Sequence, residues 1–378
     1  MGIVVKMCHL LSFIFSRKLK RKTIICLFIL ALIPVIYSVF WYGSIKYIKI
    51  EIESFIDHAT KDGVSASYKK LEINGFPFKF RITFSEPKLQ ILSNTGKQGR
   101  IKKWIWRGNR AVIDIKPWSL SNFRFDLSGL NSFSVTGADG QYEFISEAKS
   151  IDADVIMTNS RIEKLKLMAQ GLHISEKLSG IETSIGRFFF DTQLFLKAEN
   201  SNTKAENRTS RILELKLNDI QLPEKYGQFF SNHLDRIYMN LRVSENLKPT
   251  LNIEDLKTWR NAGGIIDIDS FEGYSGKLRV FGSGTLALDK KLQPLLALTA
   301  NFVGIVPLIN RLTSFGFINR RTAYLTKFFL SGILQRSITD RKSISLPLTI
   351  QDSRLSIGPA QLLTIPFINW EKEFAIEK

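Results

Sequence analysis

Residues 17–43, RKLKRKTIICLFILALIPVIYSVFWYG, constrain this chain more than any other stretch. A basic cluster runs directly into a mostly apolar segment, and no charge falls between Thr23 and Gly43. At 1.5 Å per helical residue those 21 residues reach across a bilayer core of about 30 Å. Everything after them is therefore read as a domain hung on an anchor. Pro34 sits mid-span, which membrane helices tolerate because neighbours satisfy the freed carbonyl.

Flanking charge sets the expected orientation. Residues 1–22 carry Lys6, Arg17, Lys18, Lys20, Arg21 and Lys22 and no acid, and positive charge is retained on the cytoplasmic side. The expected domains are a cytoplasmic basic segment at 1–22, a transmembrane anchor at 23–43 and a β-rich domain at 44–378, which in a two-membrane bacterium lies in the periplasm. A cleaved secretion signal shares the basic lead. Against it stand the length of the apolar run, the length of the basic lead and the bulky exit Ser38–Gly43, where a peptidase wants small residues. Trp41 and Tyr42 instead suit an aromatic belt at the membrane interface.

The exported part is long enough to bury a large core. The chain's net charge of +18 falls to +12 once the six cations of residues 1–22 are set aside. A basic domain facing a membrane is drawn toward anionic headgroups. Nucleic acid, the other usual partner of such charge, is a poor one across a membrane, and the cations here are scattered. Both cysteines, Cys8 and Cys26, precede or lie within the anchor. Intramolecular disulfides, thiol catalysis and cysteine metal sites are thereby excluded from the exported domain.

From Gly75 onward the dominant period is two. Phe78, Phe80, Ile82 and Phe84 alternate with Lys79, Arg81 and Thr83. The same pattern recurs at 123–127, 213–217, 237–243 and 278–288. Strict alternation marks antiparallel strands with one apolar and one wet face. Turn signals at Asn74-Gly75, 94–99 and Asp139-Gly140 separate the strands. Gly282 and Gly284 inside a strand pattern predict a bulge or sharp bend. Helices are expected over 45–61, 223–235 and 252–262, with two more across 304–335, and 198–210 reads as a polar loop. A dozen or more one-sided strands with few helices must close on themselves as a barrel or a sandwich, or remain an open trough. An unfilled trough offers an apolar face to acyl chains; a filled one is an ordinary packed core.

Two segments carry a resemblance. The first is Leu71–Phe80, with Gly75-Phe76-Pro77-Phe78 leading into a strand. The second is Trp259–Ile268 with Gly263-Gly264, followed by Gly284, Leu288, Asp289 and Pro294. The tail adds 346–352 and Gly358-Pro359. With the anchor, these resemble the bacterial envelope family known as domain of unknown function 2125, and more distantly the AsmA-like proteins. The resemblance implies an inner-membrane-anchored, mainly β protein with a large curved antiparallel sheet, in the setting of phospholipid movement. The motif residues also have conformational readings. Gly75 suits positive φ, Pro77 fixes φ near a strand start, Gly263 and Gly264 end a helix, Leu286 and Leu288 face the core, Asp289-Lys290 turns a hairpin and Gly358-Pro359 closes the last strand.

No catalytic constellation is visible. His9, His58, His173 and His233 lack metal-ligand spacing. There is no nucleophile elbow and no phosphate-binding loop, and Gly282-Ser283-Gly284 lacks the third glycine of a dinucleotide fingerprint. Asp152/Asp154 and Asp267/Asp269 pair carboxylates at i, i+2, yet both alternate with apolar residues as a wet sheet face does. Trp104 and Trp106 beside Lys102, Lys103 and Arg107 suit an interface or a headgroup. The reading is a non-enzyme with no cofactor and no metal, maintaining the cell envelope by holding or passing phospholipid. The alternative is a scaffold or assembly factor that binds an envelope protein through a sheet edge.

Overall fold

The computed structural model describes residues 21–61, 64–95, 100–137, 140–159, 161–196, 209–223, 232–244, 253–314, 316, 318–334, 343–358 and 360–370. The protein is mainly β, with one large antiparallel sheet that does not close. Its strands are β1 (Val64–Ser67), β2 (Lys70–Asn74), β3 (Phe80–Ser85), β4 (Lys88–Thr95), β5 (Arg100–Gly108), β6 (Arg110–Lys116), β7 (Ser119–Asp126), β8 (Gly129–Gly137), β9 (Gly140–Ala148) and β10 (Ser150–Thr158). They continue as β11 (Arg161–Glu176), β12 (Glu182–Leu196), β13 (Thr209–Gln221), β14 (His233–Ser244), β15 (Ile266–Ser275), β16 (Leu278–Leu288), β17 (Pro294–Val303), β18 (Ile344–Gln351), β19 (Arg354–Ile357) and β20 (Ala360–Thr364). The helices are α1 (Arg21–Lys61), α2 (Ile253–Asn261), α3 (Ile305–Ser314) and α4 (Arg320–Leu334).

From β10 to β20 the chain is a meander in which each strand pairs with the next. The long β11 forks the sheet. Its first half pairs with β10 and its second half with β9. One ribbon continues β10–β7–β6–β3–β2 and the other β9–β8–β5–β4–β1. Short joints at Glu86-Pro87, Asn109, Leu127-Ser128 and Lys149 carry the chain between ribbons. A cavity of about 620 Å³ lies in the fork. Its wall includes Lys69 and Glu86, paired at 2.6 Å.

α1 runs from Arg21 through the apolar segment and past Gly43 without a break. Among the described residues it is the one helix long and apolar enough to cross a membrane. Its first half is bare: Ile25, Leu27, Phe28, Ile29, Leu30, Ile33 and Ile36 are all exposed. Its second half packs on the sheet, where Trp41, Ile45, Ile48 and Ile52 meet Ile73, Phe80, Ile82 and Phe84. The aromatic-belt expectation is corrected here for Trp41, which is 3% exposed and stacks on Phe80 at 5.6 Å, while Tyr42 stays exposed. At the other end α3 and α4 cover β15–β19. Ile305, Ile309, Ala323 and Leu330 pack there with Ala300, Phe302, Ile344, Leu346 and Ile357.

The expected helices at 252–262 and across 304–335 form as α2, α3 and α4. Of 223–235, residues 224–231 lie outside the described residues, and from His233 the chain is strand. Of the loop at 198–210, residues 198–208 also lie outside, and Thr209 opens β13. Phe78 sits in the turn before β3 rather than in the strand.

The bulge expected at Gly282 and Gly284 lies instead in the partner strand. Ile268 faces Gly284 and Phe271 faces Gly282, so Asp269 and Ser270 together oppose Ser283. The glycines serve close approach on their other side. A Cβ on Gly282 would fall 2.0 Å from the Thr299 carbonyl oxygen, and one on Gly284 would fall 2.1 Å from that of Ala297. Backbone cannot yield as a flexible side chain can. Gly284→Ala is therefore expected to destabilise the full chain by about 1–3 kcal/mol. Gly273→Ala, with nothing within 4 Å of its new methyl, should cost no more than about 0.5 kcal/mol. Thermal unfolding of both variants in one detergent checks the contrast; equal losses would refute it.

Candidate functional site

Register, more than any one residue, defines the candidate site. Successive cross-strand partners form one unbroken row: Ile73, Ile82, Ile113, Phe125, Ala153, Leu167, Phe190, Leu215, Met239, Phe271, Gly282, Ala300 and Leu346. A second row two positions away runs Phe80, Ile115, Phe123, Val155, Leu165, Thr192, Leu213, Leu241, Ile268, Gly284, Leu298, Leu348 and Ile357. Residues i and i+2 share a face. One side of the sheet is thus apolar along these two rows from β2 to β19 except at Thr192, to which Arg211, two positions before Leu213 on the same face, donates at 3.3 Å.

α1 covers this face at its β2, β3 and β6 end, and α3 with α4 covers it at the β15–β19 end. Between them lie β7, β10, β11, β12, β13 and β14. At about 4.8 Å per strand this gap is roughly 25 Å wide. Its side chains, among them Phe125, Leu165, Leu167, Phe190, Leu213, Leu215, Met239 and Leu241, belong to neither core cluster and are half-buried. Among the described residues no helix lies over them. The result is an apolar trough floored by strands and walled at both ends by helices.

The reverse face is wet and charged. By register Arg81, Asp114, Arg124, Asp154, Lys166 and Asp191 alternate in sign across six strands. Arg81 donates to both Asp114 oxygens at 2.8 and 2.7 Å, and Lys79 donates to the same carboxylate at 2.7 Å. Arg124 donates to Asp154 at 2.9 and 3.3 Å. The Arg81 hydrogen bond, opposed by partial burial and aided by Lys79, holds the Asp114 carboxyl below the usual carboxylate range. Lys216 lies over the rings of Phe189 and Tyr238. A sheet with one such face and one apolar face has a defined inside.

The carboxylate pairs noted in the sequence fall on this wet face. Asp154 is held by Arg124 and Asp269 by Arg242 at 2.8 Å, while Asp152 stands opposite Asp126. The histidines do not converge. His58 sits on α1 beside Ser54, His173 lies 3.9 Å from Glu182, and His233 lies 3.3 Å from Asp235; His9 is outside the described residues. Among the described residues no three His, Cys, Asp or Glu side chains group as a metal site would require. Trp104 is partly exposed and follows Ile91 and precedes Val135 and Tyr142 in one register row. Trp106 donates to Asn131 at 3.2 Å.

The motif residues gather at two places. Gly75, at φ 104°, opens the β2–β3 turn, and the Tyr37 hydroxyl donates to the Pro77 carbonyl. Phe76 meets Trp41 edge-on at 5.3 Å and stacks on Tyr42 at 6.2 Å. This motif fastens α1 to the sheet. At the second place Trp259 donates to the Ser244 carbonyl at 2.7 Å, and Gly264 passes so close that a Cβ would lie 2.3 Å from the Trp259 ring. Gly263, two residues past the end of α2, takes φ 79°. Asp289 accepts from the Lys291 and Gln293 amides at 2.7 Å each, Leu288 and Pro294 pair across that hairpin, and Arg260 donates to the Lys290 carbonyl at 2.7 Å. Gly358, at φ 55°, donates to Pro347; Pro359 lies outside the described residues.

The sequence reading missed the continuity of the apolar rows and the tie between Tyr37 and Pro77. A signal for the first exists. The apolar positions of β15 switch from even (Ile266, Ile268) to odd (Phe271, Gly273), which places the bulge at Asp269-Ser270.

The chain belongs to the family described as "Uncharacterized protein conserved in bacteria (DUF2125)", whose sequence model matches residues 41–366. No curated protein and no solved structure matches the chain.

The charge ladder gives the fold an acid limit. With its folded pKa below its ordinary value of 3.8, Asp114 stabilises the protein fully above that value, and the contribution is lost as pH falls through the folded pKa. Asp114→Asn should cost about 1–2 kcal/mol at neutral pH and show a smaller further loss than wild type on acidification below about pH 4. Denaturant unfolding at neutral and acid pH reads both. Parallel acid losses in the two proteins would remove Asp114 from the account.

Proposed function

We propose that this protein is a single-pass envelope protein, its N-terminus cytoplasmic and its sheet periplasmic, which holds phospholipid acyl chains in the trough between α1 and α3–α4. The carrying observation is the half-buried apolar face of β7 and β10–β14, left without helix cover among the described residues. The bare apolar half of α1 supports anchoring. The basic lead at 17–22 supports the orientation. Belonging to a bacterial family is consistent with an inner-membrane location.

The mechanism is passive. Acyl methylenes laid on the strand floor leave water, at about 0.8 kcal/mol each. Headgroups remain at the rim, where the domain's excess of cations suits anionic phosphate. The charged reverse face keeps the other side of the sheet in water and gives lipid one side to occupy. No step of bond making or breaking is assigned, and no cofactor.

A second reading has its own observation. Ile91, Trp104, Phe133 and Tyr142 are exposed together on β4, β5, β8 and β9, and the sheet is open at β20. Such a patch, with the outer edge of β20 lacking a strand partner among the described residues, suits a protein partner and a scaffold role.

A photo-crosslinking residue separates the two. At Leu215, on the trough floor, it should capture phospholipid in intact cells; at Lys216, one residue along and on the reverse face, it should not. Leu167→Asp with Leu215→Asp should cut lipid capture from a neighbouring trough position tenfold or more, since a charge on that floor costs at least about 1.4 kcal/mol of lipid affinity. Protein adducts at Trp104 with no lipid adduct at Leu215 would move the assignment to the scaffold.

A further inference from the structure

We infer that two hairpin tips beside α1, the β2–β3 turn and the β6–β7 turn, enter the headgroup layer of the bilayer that α1 crosses, so that this end of the sheet rests in the membrane. The inference rests on the anchoring proposed above and adds a lipid contact made by the sheet itself.

The apolar run that sets the bilayer's place ends at Gly43. Tyr37 lies six residues before that end, about 9 Å along the helix axis. Its hydroxyl is bonded to the Pro77 carbonyl, and Trp41 stacks on Phe80 and meets Phe76 edge-on. The β2–β3 turn is therefore fixed at a depth the anchor places inside the membrane boundary. Its side chains suit that depth, with Phe78 72% and Phe76 45% exposed.

The neighbouring tip is at the same level. β3 pairs with β6 so that Phe80 faces Ile115, and β6 turns into β7 with Lys116 opposite Ser119. On that turn Trp118 is 66% exposed, and Leu120, the second residue of β7, is 65% exposed. Turns in water are built from small and polar residues. Two adjacent hairpin tips exposing Phe76, Phe78 and Trp118, with Leu120 at the start of β7, are instead built like interfacial anchors, in which aromatic rings sit among headgroups. Lys116, exposed between them, faces lipid phosphate.

The test uses the full chain with Cys8→Ser and Cys26→Ser, carrying one new cysteine at a time in place of Val39, Phe78, Trp118 or Leu178. Each is labelled with an environment-sensitive fluorophore. The protein is reconstituted into phosphatidylethanolamine–phosphatidylglycerol vesicles containing nitroxide lipid. Val39 reports the anchor. Leu178, 76% exposed in the β11–β12 turn at the far end of the strands, reports water. Blue-shifted emission quenched by the nitroxide at 39, 78 and 118, with neither effect at 178, is the expected result. Quenching at 39 without quenching at 78 and 118 would overturn the inference and leave the anchor standing. Absence of quenching at 39 would overturn the anchoring reading and this inference with it. A blue shift at 118 that nitroxide lipid does not quench would assign the tip to a protein contact and overturn the membrane contact.

Discussion

Everything in this molecule depends on strand register. A slip of one residue in any strand turns all its side chains to the opposite face. The row from Ile73 to Leu346 crosses thirteen strands without such a slip. The β15 bulge preserves the phase: with one extra residue between Ile268 and Phe271, both still face the apolar side. The charge ladder acts in the same sense from the other face. Turning Asp114 or Asp154 inward would strip each of its arginine and leave a carboxylate against hydrocarbon. Apolar rows and charged rows therefore specify one register twice.

Register also explains how the helices divide the sheet. An apolar face this wide needs cover wherever water is to be excluded, and among the described residues the two core clusters with helix cover lie at its two ends. α1 is held by Tyr37 and Trp41 against the β2–β3 turn. α3 and α4 are held by their own apolar faces on β15–β19. The motif residues near 75–78 and 259–294 belong to these end structures and to the hairpin beside α2, so the most recognisable parts of the sequence are fastenings. The trough floor, made of Leu, Phe, Val and Met at alternate positions, has no signature beyond alternation.

That difference sets what could be read from the sequence. The long apolar helix α1 was legible because an uncharged apolar run as long as a bilayer is thick is rare outside membrane spans. The strands at 213–217, 237–243 and 278–288 were legible because period two is local. The open trough was one of the architectures that pattern allowed, but which strands would stay uncovered was not legible. Whether Leu215 is covered depends on which strands lie beside it and where α3 ends, and both are long-range facts. Trp41 shows the same limit at one residue. Its position at the end of the apolar run fits an interfacial belt, yet Phe80, 39 residues on, takes it into the core. Gly282 and Gly284 signalled irregularity correctly in kind but not in strand, because the reason is the approach of the Thr299 and Ala297 carbonyls on the next strand.

The anchor and the trough are parts of one continuous surface. α1 leaves the apolar run and lies directly on the sheet with no linker between, so the sheet has little freedom to tilt relative to the apolar half of the helix. Beside α1 the strands β7 and β10 follow β6 in register and begin the uncovered floor. Along the two register rows the face under α1 therefore continues into the uncovered floor as one apolar surface. The covered end under α3 and α4 gives the trough a direction, from the α1 edge toward Ala300 and Leu346, where side chains of the helices fill the space that stays open over the central strands.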